Sequence, residues 1–261
     1  MKRTIGIMFL ITAVLICLSA PTFAATKKSV FICTKIVAND YTGEDEETID
    51  CFMKYKKNGL LKKASLSYSD GLGVVKINYK YKHGRISKSK FKNLVSGSKI
   101  ASGSSKYSYN KKVDLSKVAK YSGKKKKTIT KYTYNKNGLL ISSSVFSAKG
   151  KRISYTTYKR DNIGRTIEEK TYSKSTLESV STYNWIGNNR CEGKKYNSKG
   201  ELQSTEISKY AHDNPIEIIE YDENGNINNK IKYYYKRITT KKAKTVNNQQ
   251  YVLGYYLLFE D

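Results

Sequence analysis

Tyr221-Asp-Glu-Asn-Gly225-Asn-Ile227 holds the pattern that decides the fold: an aromatic residue, three polar residues, a glycine, a free position and an aliphatic residue. The pattern returns as Tyr55-Lys-Lys-Asn-Gly59-Leu-Leu61, Tyr134-Asn-Lys-Asn-Gly138-Leu-Leu140 and Tyr196-Asn-Ser-Lys-Gly200-Glu-Leu202. Weaker copies are Arg160-Asp-Asn-Ile-Gly164-Arg-Thr-Ile167, Tyr183-Asn-Trp-Ile-Gly187 and Lys80-Tyr-Lys-His-Gly84-Arg-Ile86. A tight hairpin turn needs positive φ at one or two positions, where glycine is unstrained and asparagine tolerated. Other turn-forming clusters fall between the copies, at Asp70-Gly71, Ser96-Gly97, Ser122-Gly123, Lys149-Gly150, Lys174-Ser175 and Asp213-Asn214-Pro215. Most neighbouring markers lie 11 to 15 residues apart. Subtracting a turn of about four residues leaves about eight or nine, a strand's length.

The stretches between turns alternate. Val75, Ile77, Tyr79 and Tyr81 share one parity and Lys76, Asn78 and Lys80 the other; Ile231, Tyr233 and Tyr235 stand against Lys230, Lys232, Tyr234 and Lys236. A period of two marks half-buried strands. The expected fold is therefore all-β, an elongated antiparallel meander of repeated β-hairpins with roughly 12 to 15 strands in one curved sheet. Residues 25–54 read as a lead-in strand (Ser29 to Val37) and an acidic loop, 55–236 as the repeats, and 237–261 as a closing strand around Gln250 to Phe259. Ser96 to Ser122 is less regular and reads as two poor strands or a loop.

Met1 to Arg3 is basic, Thr4 to Ala20 almost wholly apolar, and Pro21-Thr22-Phe23-Ala24 ends on a small residue. Residues 1–24 thus have the layout of a secretory signal peptide, and no second stretch is apolar enough for a membrane-spanning helix once it is removed. The expected location is secreted or associated with the cell surface. Cys33, Cys51 and Cys191 remain; an oxidising compartment permits a Cys33–Cys51 bridge, with unpaired thiols as the alternative.

The tyrosine-glycine turns carry a family likeness. Tyr221-Asp222 with Gly225 and Ile227 resembles the YD repeat of bacterial RHS-type proteins; Asp161, Gly164 and Arg165 match part of it, and Gly84-Arg85-Ile86 its second half. The likeness spans about Tyr55 to Lys236, a short form with no toxin domain. It implies antiparallel strands wound into a long curved sheet, often extracellular, in proteins thought to contact carbohydrate or to enclose a toxin. Architecture is what such a likeness transfers, not activity.

The chain holds 49 Lys or Arg against 22 Asp or Glu, a formal net charge of +27, and removing residues 1–24 leaves +25. Of the basic residues seven are Arg and 42 Lys, so the charge consists mainly of flexible ammonium groups rather than forks that read phosphate or base edges. That argues against sequence-specific nucleic-acid binding. With 2 Pro and 17 Gly, collagen-like and Pro-rich classes drop out.

Catalytic chemistry finds no constellation. His83 and His212 sit at turns, Glu168-Glu169 and Glu44 to Glu47 read as solvated surface, and no phosphate loop or nucleophile motif is present. The expectation is a non-enzyme with no cofactor and no metal. The informative feature is Lys-Tyr interleaving, in which stacked rings suit sugars and ammonium groups attract polyanions. Candidate contacts are the run Lys124, Lys125, Lys126 and Lys127, with Tyr132, Tyr134, Tyr233 and Tyr235; the repeat turns are Gly59, Gly84, Gly138, Gly164, Gly200 and Gly225. The expected function is binding of an anionic cell-wall or host polysaccharide through a Lys/Tyr face. The alternative is a structural or protein-interaction module of a bacterial surface assembly, partnered by a surface protein.

Overall fold

The computed structural model describes residues 28–240 except 42–46, 57–59, 69–72, 113 and 213. The first half of the barrel is β1 (Lys28–Asp40), β2 (Glu47–Tyr55), β3 (Leu61–Tyr68), β4 (Gly73–Lys82), β5 (Arg85–Val95), β6 (Ser98–Tyr109), β7 (Leu115–Ser122) and β8 (Lys125–Tyr134). The second half is β9 (Leu140–Ser147), β10 (Arg152–Arg160), β11 (Thr166–Ser173), β12 (Thr176–Ile186), β13 (Arg190–Asn197), β14 (Leu202–Ala211), β15 (Asn214–Asp222) and β16 (Ile227–Thr240). Each strand pairs antiparallel with the next, and β1 also pairs with β16, from Lys28 opposite Thr240 to Asp40 opposite Asn229.

Closure corrects the expectation of an open curved sheet. An open meander leaves two rows of unpaired backbone groups, and joining β1 to β16 removes both. The curvature comes from bulges, which add twist and bend the strand that carries them. They recur just before the turns, at Lys54/Tyr55, Lys80/Tyr81, Ser108/Tyr109, Thr133/Tyr134 and Lys159/Arg160 toward one end. Lys120/Tyr121, Lys195/Tyr196 and Glu220/Tyr221 follow the same rule toward the other. The Ser96–Ser122 region, ambiguous in sequence, supplies β6 and β7. The signal segment, Gly59, the acidic loop at 42–46 and the proposed strand at 250–259 lie outside the described residues.

The turn chemistry is repeated in detail. Asp161 Oδ1 accepts hydrogen bonds from the backbone N–H of Ile163 (3.1 Å) and Arg165 (2.8 Å). Asn135, Asn197 and Asp222 do the same for residues two and four further on. The glycine three residues after each cap has positive φ: 79° at Gly138, 92° at Gly164, 84° at Gly200 and 88° at Gly225. Gly84 shares the positive φ, at 75°, within a shorter turn. Asp161 also meets Arg165 Nε at 2.7 Å, which together with the two N–H bonds holds its carboxyl below the usual carboxylate range despite an opposing desolvation cost. Asp161→Ala is expected to destabilise the barrel by about 1–2 kcal/mol in urea unfolding, through loss of these bonds. An unchanged midpoint would show that the cap is dispensable.

Packing divides the interior. Cys33, Cys51, Met53, Leu61, Leu66, Ile77, Ile86 and Val118 form one apolar cluster from β1 to β7. Beside it lies a cavity lined chiefly by hydroxyl, amide and charged side chains from β5 to β16. A chain with 38% hydrophobic residues thus fills part of its barrel with apolar side chains and lines the rest with polar ones.

Candidate functional site: outer wall and lumen

Strand parity sorts the basic and aromatic residues. On β4, Ile77 and Tyr79 are buried while Lys76, Asn78 and Lys80 are exposed. On β16, Ile231 is buried and Tyr233 and Tyr235 pack on the apolar cluster, while Lys232, Tyr234 and Lys236 are exposed. Tyr132 faces the cavity, and Tyr134 donates from its hydroxyl to Leu115 O at 2.8 Å. Tyr132, Tyr134, Tyr233 and Tyr235 therefore do not share the outer wall with lysines. The Lys124–Lys127 run sits at the β7–β8 turn, with Lys124, Lys125 and Lys127 exposed and Lys127 at the cavity edge.

Two aromatic series replace the single one expected. Toward the end where even-numbered strands finish, Tyr55, Tyr81, Tyr109 and Tyr134 point inward, each hydroxyl donating to a carbonyl of the preceding strand: Cys33, Leu61, Ile86 and Leu115, at 2.6 to 2.9 Å. Arg160 and Trp185 take the next places, donating to Leu140 O and Thr166 O. Burial raises the hydroxyl pKa of Tyr55, Tyr81 and Tyr109, to about 12 at Tyr109, so these three groups remain donors. Cations from the turns stand over the rings: Lys56 over Tyr81 at 5.1 Å, Arg85 over Tyr109 at 5.6 Å and Arg165 over Trp185 at 5.2 Å. This gives the arginine after the turn glycine a physical role, as a lid on the next ring.

The second series faces outward near the opposite end: Tyr121, Phe146, Tyr172, Tyr196 and Tyr221, on alternate strands. Lys106 lies over Tyr121 at 5.1 Å, Lys131 over Phe146 at 4.8 Å, and Arg152 over Tyr155 at 4.4 Å. Tyr155 stacks on Tyr172 with centroids 4.4 Å apart. An outer Lys/aromatic surface thus exists, but built from residues other than those chosen from sequence. The signal was present: each series steps by about 25 residues, one hairpin, twice the interval between turn markers. Tyr55 and Tyr134 belong to the inner series and Tyr196 and Tyr221 to the outer, although all four begin the same motif.

Outward positions on four strands are polar: Lys88, Lys90 and Lys92 on β5, Lys106 on β6, Ser142 and Ser144 on β9, Lys230 and Lys232 on β16; Phe52, Ile100, Ile141 and Ile153 are exposed apolar residues elsewhere. A lipid-facing barrel carries an apolar band there, and a lysine at mid-bilayer costs about 2–4 kcal/mol.

The lumen was not foreseen. A cavity of ≈ 1810 Å³ is bordered by Lys99, Lys127, Ser198 and Gln203 near the odd-to-even turns, and runs in past Thr130, Tyr158 and Tyr183. Its wall holds Glu169, Glu206 and Glu220. Glu168 and Glu169, read as a solvated pair, point opposite ways, and Glu169 is 4% exposed. Burial pushes Glu169 up to about 8, against the pull of Arg160, a Tyr183 hydrogen bond and Lys195. Glu206 rises to about 7 by burial, although Ser208 donates to it. Glu220, raised by burial, accepts from Asn229 Nδ2 at 3.2 Å. Lys195, also lining the cavity, is lowered by its own burial.

Cys33, Cys51 and Cys191 are buried thiols outside any disulfide. Cys51 is opposite Ile36 rather than Cys33 in the β1–β2 register, so the Cys33–Cys51 bridge is not formed. Desolvation pushes Cys33 up to about 12 and Cys51 higher still, which makes both inert thiols.

These features define a class: a closed antiparallel β-barrel, of 16 strands among the described residues, with an aromatic-lined end and a polar lumen. No known protein family matches the sequence, and no curated protein matches it. Among solved structures, the chain is similar to a porin-like protein from Bacteroides uniformis at 12% identity, covering 78% of this chain and 96% of that one, with a TM-score of 0.47. A porin-like protein from Bacteroides vulgatus gives 12% identity, 78% and 98% coverage, and a TM-score of 0.34. A Photorhabdus luminescens Tc holotoxin pore gives 11% identity over 77% of this chain and 16% of that chain, with a TM-score of 0.24.

Proposed function

We propose that this is an exported, non-enzymatic YD-like repeat protein that holds anionic cell-wall or host polysaccharide on its outer wall, in the secreted or surface-bound state. The observation that carries the reading is the outward surface around Lys106, Tyr121, Lys131, Phe146, Arg152 and Tyr155, where cations stand over aromatic rings. Flat rings on alternate strands lie about 10 Å apart, a spacing along which a glycan can lie across more than one ring. The surrounding lysines supply attraction without base readout. The Asx-capped, glycine-ended turns support the YD-like reading of the repeat.

The test is retention of the purified chain on immobilised teichoic acid, heparin and DNA over a salt gradient. Retention at about 0.05 M salt that is lost by about 0.5 M is expected, because exposed charges are screened within a few ångströms there. Absence of retention at low salt on every column would contradict the proposal.

A further inference from the structure

We infer that the lumen is a second binding site, for a neutral, polyhydroxylated ligand of oligosaccharide size. It stands independently of the outer-wall reading, since none of the residues that carry it face outward.

Three observations converge. The cavity, at ≈ 1810 Å³, exceeds the roughly 300–1,000 Å³ of a typical small-molecule site. Its wall is a lattice of hydroxyls: Ser143 and Tyr158 are bonded at 3.3 Å, as are Thr156 and Thr171. Deep in it, Glu169 is 4% exposed and its Oε2 has no hydrogen-bond partner. An unmatched buried carboxyl oxygen is costly, and a ligand hydroxyl at that point removes the cost.

The charge balance selects a neutral ligand. Glu169 and Glu206 are raised toward or above neutrality by burial, so a proton on the carboxyl lets it donate as well as accept, the two roles a sugar hydroxyl also plays. The wall carries five lysines, Lys99, Lys120, Lys127, Lys194 and Lys195, against four glutamates, Glu169, Glu178, Glu206 and Glu220, so a ligand of either charge meets groups of its own sign as well as the opposite one. A cation must cross the field of a chain that carries +25 without residues 1–24 and pass Lys99 and Lys127 at the edge.

The experiment is calorimetric titration of the full chain with maltotriose, cellotriose and chitotriose, with spermine and trigalacturonate as charged controls. At least one neutral trisaccharide should bind, with an affinity unchanged between about 0.05 and 0.5 M salt. Glu169→Leu should weaken it about 10-fold or more, and Glu169→Gln about 3-fold or less, because the amide keeps a donor and an acceptor. Thr156→Val, which changes a wall hydroxyl and little volume, should weaken it several-fold and serves if Glu169→Leu does not fold. No neutral trisaccharide bound at 10 mM, preference for spermine or trigalacturonate, or equal loss in Glu169→Gln and Glu169→Leu would each overturn the inference. Failure here leaves salt-sensitive retention by the outer wall untouched, and the converse holds.

Discussion

Glu169→Gln is expected to raise the melting temperature at pH 8 to 9 and to change it little near pH 5. Burial lifts Glu169 from 4.5 to about 8 in the folded barrel, while the unfolded chain returns it to the ordinary value. Between those two values the folded state binds more protons than the unfolded one, so stability falls as pH rises. Glu206, lifted to about 7, adds to the same slope over a narrower window. The combined effect is a loss of up to a few kcal/mol between about pH 5 and pH 9. Asp161, Glu217 and Asp222 act in the opposite sense: their folded values are lowered, so their contribution is lost as pH falls below the ordinary carboxylate range. Maximum stability should therefore lie near pH 5. Thermal unfolding followed by circular dichroism from pH 4 to 9 reads this directly. A melting temperature that rises from pH 5 to 8, or a slope unchanged in Glu169→Gln, would show that the buried carboxyls are not the cause.

Gly103→Ala should cost about 1–3 kcal/mol of stability, more than the same change at Gly193. A methyl group at residue 103 would run into the Phe91 ring and stand 2.7 Å from the Tyr121 carbonyl oxygen. The ring can rotate away, but the carbonyl belongs to the β6–β7 ladder, where Ser104 pairs with Tyr121. At Gly193 the nearest atoms are the Tyr183 ring edge at 3.2 Å, and a side chain yields more readily than a strand. Both glycines sit directly opposite an aromatic residue, Phe91 and Tyr183, so each leaves room for the ring to lie across the strand. Urea unfolding of the two variants separates them: equal losses would mean that ring packing rather than the backbone clash sets the cost.

The turns and strands were legible because their chemistry is local. Asn137-Gly138 or Asn224-Gly225 needs no partner from elsewhere to specify a reversal, and Val75 to Tyr81 alternates whatever lies beside it. Closure was not legible, because the pairing of Lys28–Asp40 with Asn229–Thr240 joins segments about two hundred residues apart and depends on the summed curvature of every intervening bulge. The misplaced tyrosines have a different cause. Alternation runs unbroken into each turn, so Tyr134 keeps the inward parity of Thr130 and Tyr132 while Tyr196 falls on the side opposite Gly193 and Lys195, and identical motifs end strands in opposite phase. Glu169 was hidden for a related reason. Adjacent carboxylates on a strand face opposite sides, and nothing in Glu168-Glu169 tells which side is lumen until the barrel is closed.

The claim that the outer wall is the polyanion surface is tested most directly by the salt dependence of heparin affinity in Lys106→Gln/Lys131→Gln/Arg152→Gln, with Glu169→Gln as the lumen control. The wall variant should bind several-fold more weakly at low salt, with a shallower slope of log affinity against log salt, while Glu169→Gln matches the parent chain. Equal affinity and slope in the wall variant and the parent would contradict the account.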